Sequence, residues 1–416
     1  NIIIAIIDSV ITIQYLEDAP DLPERRTAAV LEKLCAAAEL LPFSHLLIGW
    51  HLPVSLLEAC RREAERLGLR FLRWQPLLTG DAAFPLNPDW QVVGAGGRKV
   101  PGYQGMPEFT FICPNNPRVQ EVIHRRLEHL VEEGIYQGFF LDRARFPSPS
   151  GDPVQDLGCF CEHCRQRAYS NDLDLEQVRN VILDLGATPE GRLSLVTGLL
   201  GSDMLEMEPG DAELLRSFFR FRELGVTDFI ARVSSPLRAH GLEIGLDCFS
   251  PGLTRMVGQD LRALGDLADW IKVMSYAHAL GPSGLPFELL GLFDYLSGDQ
   301  KPSGILHRMG EALGLLLPDE RQEIKRRGIS SSTLEAELRR GQRGSSTRIL
   351  AGFELVEIEG VAELNDIQIL TDLEAVKRSG VAGLSISWDL WHIPLERLEL
   401  VRRVFIDQGL VDGWGT

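Results

Sequence analysis

The chain has 416 residues, 44% of them hydrophobic and 24% charged, proportions that exclude disorder, collagen and coiled coil as its main theme. With 42 Lys+Arg against 59 Asp+Glu the formal charge is −17, so the average surface repels phosphate backbones and anionic lipid, which argues against nucleic acid and membrane as partners. No stretch approaches the roughly 20 apolar residues of a membrane helix. The apolar opening that runs into Asp8 has neither the basic start nor the small-residue cleavage site of a signal peptide. A cytoplasmic protein is therefore expected, with export left open because the chain starts at Asn1 rather than Met. Self-association into a homo-oligomer is also left open.

In chain order, short runs rich in β-branched and large apolar residues fall at 2–8, 45–50, 69–74, 138–142, 242–247, 270–276, 348–354 and 381–388. Between them, helical periodicity predicts helices at 24–41, 54–67, 117–133, 212–240, 260–268, 361–379 and 394–407. Strands alternating with amphipathic helices imply a parallel sheet, and nearly continuous apolar strands suit a sheet buried on both faces. Eight such units predict an α/β fold, a closed (β/α)8 TIM barrel formed by residues 1–416 as one catalytic domain. The rival is an open doubly wound sheet, which usually has fewer strands and a glycine-rich turn after the first. Asp8-Ser9-Val10-Ile11 has no such turn. The long connections 76–116, 144–210 and 277–347 are expected as insertions on the catalytic face. Within the last, a Lys/Arg-rich stretch at 320–343 also carries acids and reads as a solvated helical face.

Barrel chemistry is built where the strands end. Those positions are Asp8, Trp50 and His51, Trp74, Asp142 and Arg143, Asp247, Tyr276 and His278, Glu354, and Trp388 with Trp391. In Gly138-Phe-Phe-Leu-Asp142-Arg143-Ala-Arg145 an apolar strand stops at a carboxylate beside two guanidinium groups, which favour the ionised form of a neighbouring acid and so suit a nucleophile. A structural salt bridge is the alternative. Glycosidic cleavage usually needs a second carboxyl. Glu354 is the first choice, since Gly352 just before it leaves room for close approach; Asp247 and Glu357 are the others. Indole faces stack on sugar rings, so Trp50, Trp74, Trp388 and Trp391 are candidate platforms. Asp8, His51, Arg143, Tyr276 and His278 would supply polar contacts to a carbohydrate substrate.

Four thiols, Cys113 and Cys159-Phe-Cys161-Glu-His-Cys164, come from the connections flanking the fourth strand. Four thiolates satisfy tetrahedral Zn²⁺ and leave no place for a catalytic water, so the metal would be structural. Two disulfides, or reduced thiols, are the alternatives, with His163 as a substitute ligand. No organic cofactor is expected. Cys35, Cys60 and Cys248 read as packing residues.

These features resemble the broad (β/α)8 glycoside hydrolase group over most of the chain. Residues 139–147 are similar to the LDxxRFP strand of glycoside-hydrolase-like families. The spacing of Cys113 with Cys159, Cys161 and Cys164 is similar to the zinc cluster of family 42 β-galactosidases. That resemblance implies an acid/base at the end of strand 4 and a nucleophile at the end of strand 7, matching Asp142 and Glu354 in position. Family 42 carries Asn-Glu at the end of strand 4, where this chain has Leu141-Asp142-Arg143; in α-glycosidase barrels an Asp there is the nucleophile. The pair is expected with its roles open. The resemblance implies a glycosidase acting on an oligo- or polysaccharide. The alternative is a carbohydrate-binding or scaffold barrel that has lost hydrolysis.

Overall fold

The computed structural model describes residues 10–16, 26–49, 51–80, 85–202, 204, 207–298 and 304–407. Eight parallel strands close a barrel in sequence order: β1 Val10–Tyr15, β2 His45–Ile48, β3 Arg70–Pro76, β4 Gly138–Asp142, β5 Glu243–Phe249, β6 Trp270–Met274, β7 Arg348–Glu354 and β8 Gly383–Ser387. The ring closes where β1 pairs β8, with Val10 opposite Gly383 and Ile13 opposite Ile386. Among the described residues, no helix is long and apolar enough to cross a membrane.

Two expectations are corrected. The first strand is Val10–Tyr15, not 2–8, which lie outside the described residues. Residues 10–15 alternate: Ile11, Ile13 and Tyr15 join the core under the helices, while Val10 packs inside the barrel. That alternation fits a strand whose inner face is partly polar, and it is masked in the sequence by the stronger apolar run before it. The second correction concerns 320–343, which is more than a solvated face. Its helix Ser331–Gly344 buries Leu334, Glu337, Leu338 and Gly341, and Glu337 accepts from Ser250 Oγ at 2.8 Å and from the Gly252 N–H at 2.7 Å. Apart from Glu337 the charges lie on the outer side, and the i, i+4 apolar pair Leu334 and Leu338 is buried.

Inside the barrel, Val10, Leu47, Leu72, Phe140, Trp270 and Leu350 form an apolar plug, with Phe140 and Trp270 stacked at 5.3 Å between ring centres. Fully burying each ring is worth about 2–3 kcal/mol. The Trp270 indole fills the space where Gly245 lacks a side chain; a Cβ there would lie 2.3 Å from the ring. Below the plug, Glu243 accepts from Trp270 Nε1 at 2.7 Å and pairs with His45 at 3.0 Å and Arg70 at 2.5 Å. This ties the N-terminal mouth shut, the end where a barrel stores stability rather than chemistry. Above the plug the lining turns polar: Thr12 Oγ1 donates to Ser385 Oγ at 2.8 Å, and Ser387 Oγ donates to Gln14 Oε1 at 3.0 Å.

Candidate active site

The C-terminal mouth begins at β4. Leu141 and Phe139 anchor the strand in the outer core, and the period-two alternation therefore turns Phe140 and Asp142 inward. Both Asp142 oxygens are held: Oδ2 accepts from Trp74 Nε1 at 3.0 Å and Oδ1 from the Arg143 backbone N–H at 2.5 Å. Trp74 is thus a positioning donor for the carboxylate. Arg143, with φ 54°, turns away to donate to Thr79 Oγ1 at 3.1 Å and Glu108 O at 2.6 Å, and lies over the Trp74 and Phe109 rings.

On the adjacent strand Asp247 is 5% exposed. Its Oδ2 accepts from Lys272 Nζ at 2.9 Å, and its buried Oδ1 has no hydrogen-bond partner. Burial pushes this carboxyl up to about 7; Lys272 opposes the shift, while the neighbouring Asp142 charge adds to it. Burial alone would lower the Lys272 ammonium, but Asp247 and Tyr276 more than offset it and hold the group protonated. Lys272 also donates to Gln14 Oε1 at 3.4 Å and lies 5.4 Å from the centres of the Phe140 and Tyr276 rings. The room expected at Gly352 is taken by this lysine: a Cβ there would sit 2.8 Å from Lys272 Cε. Tyr276 in turn meets Trp388 edge-on at 5.5 Å. Trp74, Asp142, Asp247, Lys272, Tyr276 and Trp388 therefore form one continuous group around the mouth.

Glu354 belongs to a different cluster. It is 1% exposed, and its Oε1 accepts from the His278 backbone N–H at 2.7 Å. His278 Nε2 lies 2.7 Å from Asp372 Oδ2. Burial pushes the Glu354 carboxyl up to about 7, with His278 opposing; burial lowers the His278 imidazole, but Asp372 and Glu354 outweigh it and raise it overall. The charges that Glu354 feels are those of His278 and Asp372, whereas Asp247 feels Lys272, Asp142 and Arg145. The expected Asp142–Glu354 pairing is thus rivalled by an Asp142–Asp247 neighbour pair.

Of the remaining expected contacts, Asp8 and Trp50 lie outside the described residues. His51 is exposed just before the helix Val54–Arg66. Trp391 turns toward the outer helices, with Lys33 Nζ 5.6 Å from its ring centre, and Glu357 is exposed beside Arg397 at 3.6 Å.

Sequence reasoning missed the cleft beside this mouth, about 590 Å³. Its walls come from all three long connections and include Tyr103, Phe109, Phe111, Arg145, Phe287 and Glu288. Lys272, also missed, had a visible signal as a lone cation inside the apolar run Trp-Ile-Lys-Val-Met. Tyr103, Phe109 and Phe111 had none, because they sit in a connection without helical or strand periodicity.

The thiols do gather. The sulfurs of Cys113, Cys159, Cys161 and Cys164 all lie within 4.8 Å of one another, with Cys113 3.4 Å from Cys164 and 3.6 Å from Cys161. None is disulfide-bonded, and His163 is not among them. The Cys-Pro-Asn-Asn-Pro segment does three jobs: Cys113 joins the cluster, Asn115 Nδ2 donates to Cys164 Sγ at 3.3 Å, and Asn116 caps the helix Pro117–Glu132. The N–H groups of Val93 and Cys161 donate to Cys159 Sγ at 3.5 and 3.4 Å. Four sulfurs at such separations could hold one metal ion, and N–H···S contacts are the usual support for bound thiolates. The buried Arg222, which donates to Gly158 O at 2.7 Å, brings a compensating positive charge close by.

The sequence matches no protein-family profile and no curated protein. Among solved structures the chain is similar to the glycoside hydrolase domain of PgaB (BpsB) from Bordetella bronchiseptica, with a TM-score of 0.50 and 14% identity over 94% of this chain and 98% of that one. It is also similar to the β-galactosidase of the psychrophilic Marinomonas ef1, with a TM-score of 0.57 and 14% identity over 97% of this chain but 60% of that one. A third is the catalytic domain of β-amylase from Paenibacillus polymyxa, with a TM-score of 0.54 and 9% identity over 96% and 98%. At these identities the shared property is the fold, a (β/α)8 barrel, and in this chain its C-terminal mouth carries buried carboxyls.

Proposed function

We propose that the protein is a glycoside hydrolase that cleaves an O-glycosidic bond in an oligo- or polysaccharide with two carboxyl groups. The observation that carries this reading is the pair Asp142 and Asp247, on adjacent strands and electrostatically coupled at the open end of the barrel. Asp142, oriented by Trp74, is the carboxylate that attacks the anomeric carbon or activates water. Asp247 is the proton donor: Lys272 occupies Oδ2, so the proton resides on the unpartnered Oδ1, and a carboxyl poised near 7 can give a proton at neutral pH. Glu354, the partner expected from the sequence, is the alternative donor, since it too is pushed up to about 7. Tyr276 and Trp388 line the sugar's approach. The glycosidase names of the three similar structures support the reaction class.

We also propose that the cysteine cluster holds Zn²⁺ in a structural role. All four positions of a tetrahedron would be filled by thiolates, so the metal would stabilise the two connections rather than take part in hydrolysis.

The test is a screen of aryl-glycosides and oligosaccharides with the wild type and with Asp142→Asn, Asp247→Asn and Glu354→Gln. Turnover that disappears in the Asp142 variant and in one of the other two supports the reading. Full activity of Asp142→Asn on the substrate so found ends it, and binding without turnover by the wild type on every substrate bound would favour the non-catalytic barrel.

A further inference from the structure

Arg145 is 4% exposed and lines the cleft beside the mouth. Its guanidinium carbon lies over the Phe111 and Phe249 rings, with ring centres 4.4 and 4.3 Å from Cζ. Nη1 donates to Phe146 O at 3.1 Å, Nη2 donates to Ser283 Oγ at a long 3.5 Å, and Nε has no partner. No carboxylate among the described residues comes within ion-pair distance. The acids nearby are committed elsewhere: Asp142 to Trp74 and the Arg143 N–H, Asp247 to Lys272, and Glu288 to Ser148 Oγ and the Ser283 N–H at 2.5 and 2.9 Å.

A buried cation without a bonded counter-charge is costly, and such groups persist where a ligand completes them. The two phenyl rings pack against the guanidinium carbon, and the N–H groups lie along its edge, with Nε unpartnered and Nη2 in only a long contact. That edge matches a planar carboxylate approached in plane. Lys325 lines the same cleft and adds positive charge, partly offset by Asp156 and Glu288, while Arg321 is bound to Asp294 at 2.6 Å. Asp142, Glu288 and Asp247 act on the Arg145 charge only at a distance; a neutral hydroxyl would fill the donors without adding a bonded counter-charge.

We infer that Arg145 is the anchor of a subsite for an acidic sugar, taking the carboxylate of a uronic acid residue adjacent to the bond to be cleaved. This rests on the glycosidase reading for the word substrate, but the subsite itself is a binding property and is tested as one. The chain's formal charge of −17 disfavours long polyanions by general repulsion, so the fitting ligand carries isolated acidic residues rather than an unbroken run.

The experiment is calorimetric titration of the full chain with glucuronate- and galacturonate-containing oligosaccharides, each matched to its carboxyl-reduced counterpart, with a sulfated neutral oligosaccharide as a further arm. The expected result is that at least one carboxylated probe binds about tenfold or more tighter than its reduced partner and weakens with added salt. Arg145→Gln should remove the preference, and Arg145→Lys should keep part of it. The matched pairs need only the wild type, so the comparison stands even where a variant does not fold. Equal affinity within every pair, no binding of any carboxylated probe at millimolar concentration, a preference for the sulfated arm, or an undiminished preference in folded Arg145→Gln overturns the inference. Acidic probes bound while no glycan at all is turned over would count against the hydrolase reading and leave the subsite standing, whereas turnover of neutral glycans with equal affinity within every pair would do the reverse.

Discussion

Lys272 and Asp247 form an ion pair at 2.9 Å whose side chains are 1% and 5% exposed, bridging β6 and β5 inside the barrel. Removing one partner of a buried pair leaves the other charge stranded, at about 3–5 kcal/mol. Lys272→Met should lower the unfolding free energy by roughly that amount, and adding Asp247→Asn in the same chain should recover part of the loss. Urea unfolding of the two variants checks this; a single variant within about 1 kcal/mol of wild type would mean that the pair contributes nothing.

Stability should also carry a pH signature of Glu354. Its carboxyl ordinarily titrates at 4.5 and in the fold at about 7, so between those values the folded state binds more protons than the unfolded one. The slope of unfolding free energy with pH is then negative. The group's contribution is intact below 4.5, declines as pH rises through this window, and is lost above about 7. Glu354→Gln should flatten that part of the profile, measured by denaturant titrations from pH 5 to 8. An unchanged slope would place the shift elsewhere.

The hydrogen bond from Trp74 Nε1 to Asp142 can be removed with the ring retained. Bonds to charged groups contribute about 1.5–3 kcal/mol, so Trp74→Phe should lower kcat on a substrate found by screening by roughly 10- to 100-fold with little change in KM. A KM effect alone would make Trp74 a sugar contact and not a positioning donor.

For the cysteine cluster, the expectation is one equivalent of zinc per chain by elemental analysis, absent in Cys159→Ser. That variant should lose roughly 5–10 °C in Tm. Retention of metal with unchanged Tm would show that the sulfurs are ordinary packing groups.

What could be read from the sequence follows from where periodicity survives. Strands β2 to β8 were visible as apolar runs, and Asp142 stood out because β4 stops on it. The thiols were visible because their chemistry is specific at short spacing. The first strand was misplaced because two apolar runs adjoin and only the weaker one alternates. The helix Ser331–Gly344 was misjudged because Leu334 and Leu338 are outnumbered by charges. The Lys272–Asp247 pair joins residues that are distant in sequence, and only the register opposing Asp247 to Lys272 brings them together. The cleft depends on three connections meeting in space, and no local pattern announces that.

Cys113 closes the connection that carries Tyr103, Phe109 and Phe111, while Cys159, Cys161 and Cys164 end the stretch that carries Arg145 and Ser148. One knot of sulfur therefore ties together two connections that both contribute residues to the groove. If the sulfurs hold the proposed ion, a molecule assembled without it would be expected to lose the fixed spacing of these two connections before it loses its ring of strands.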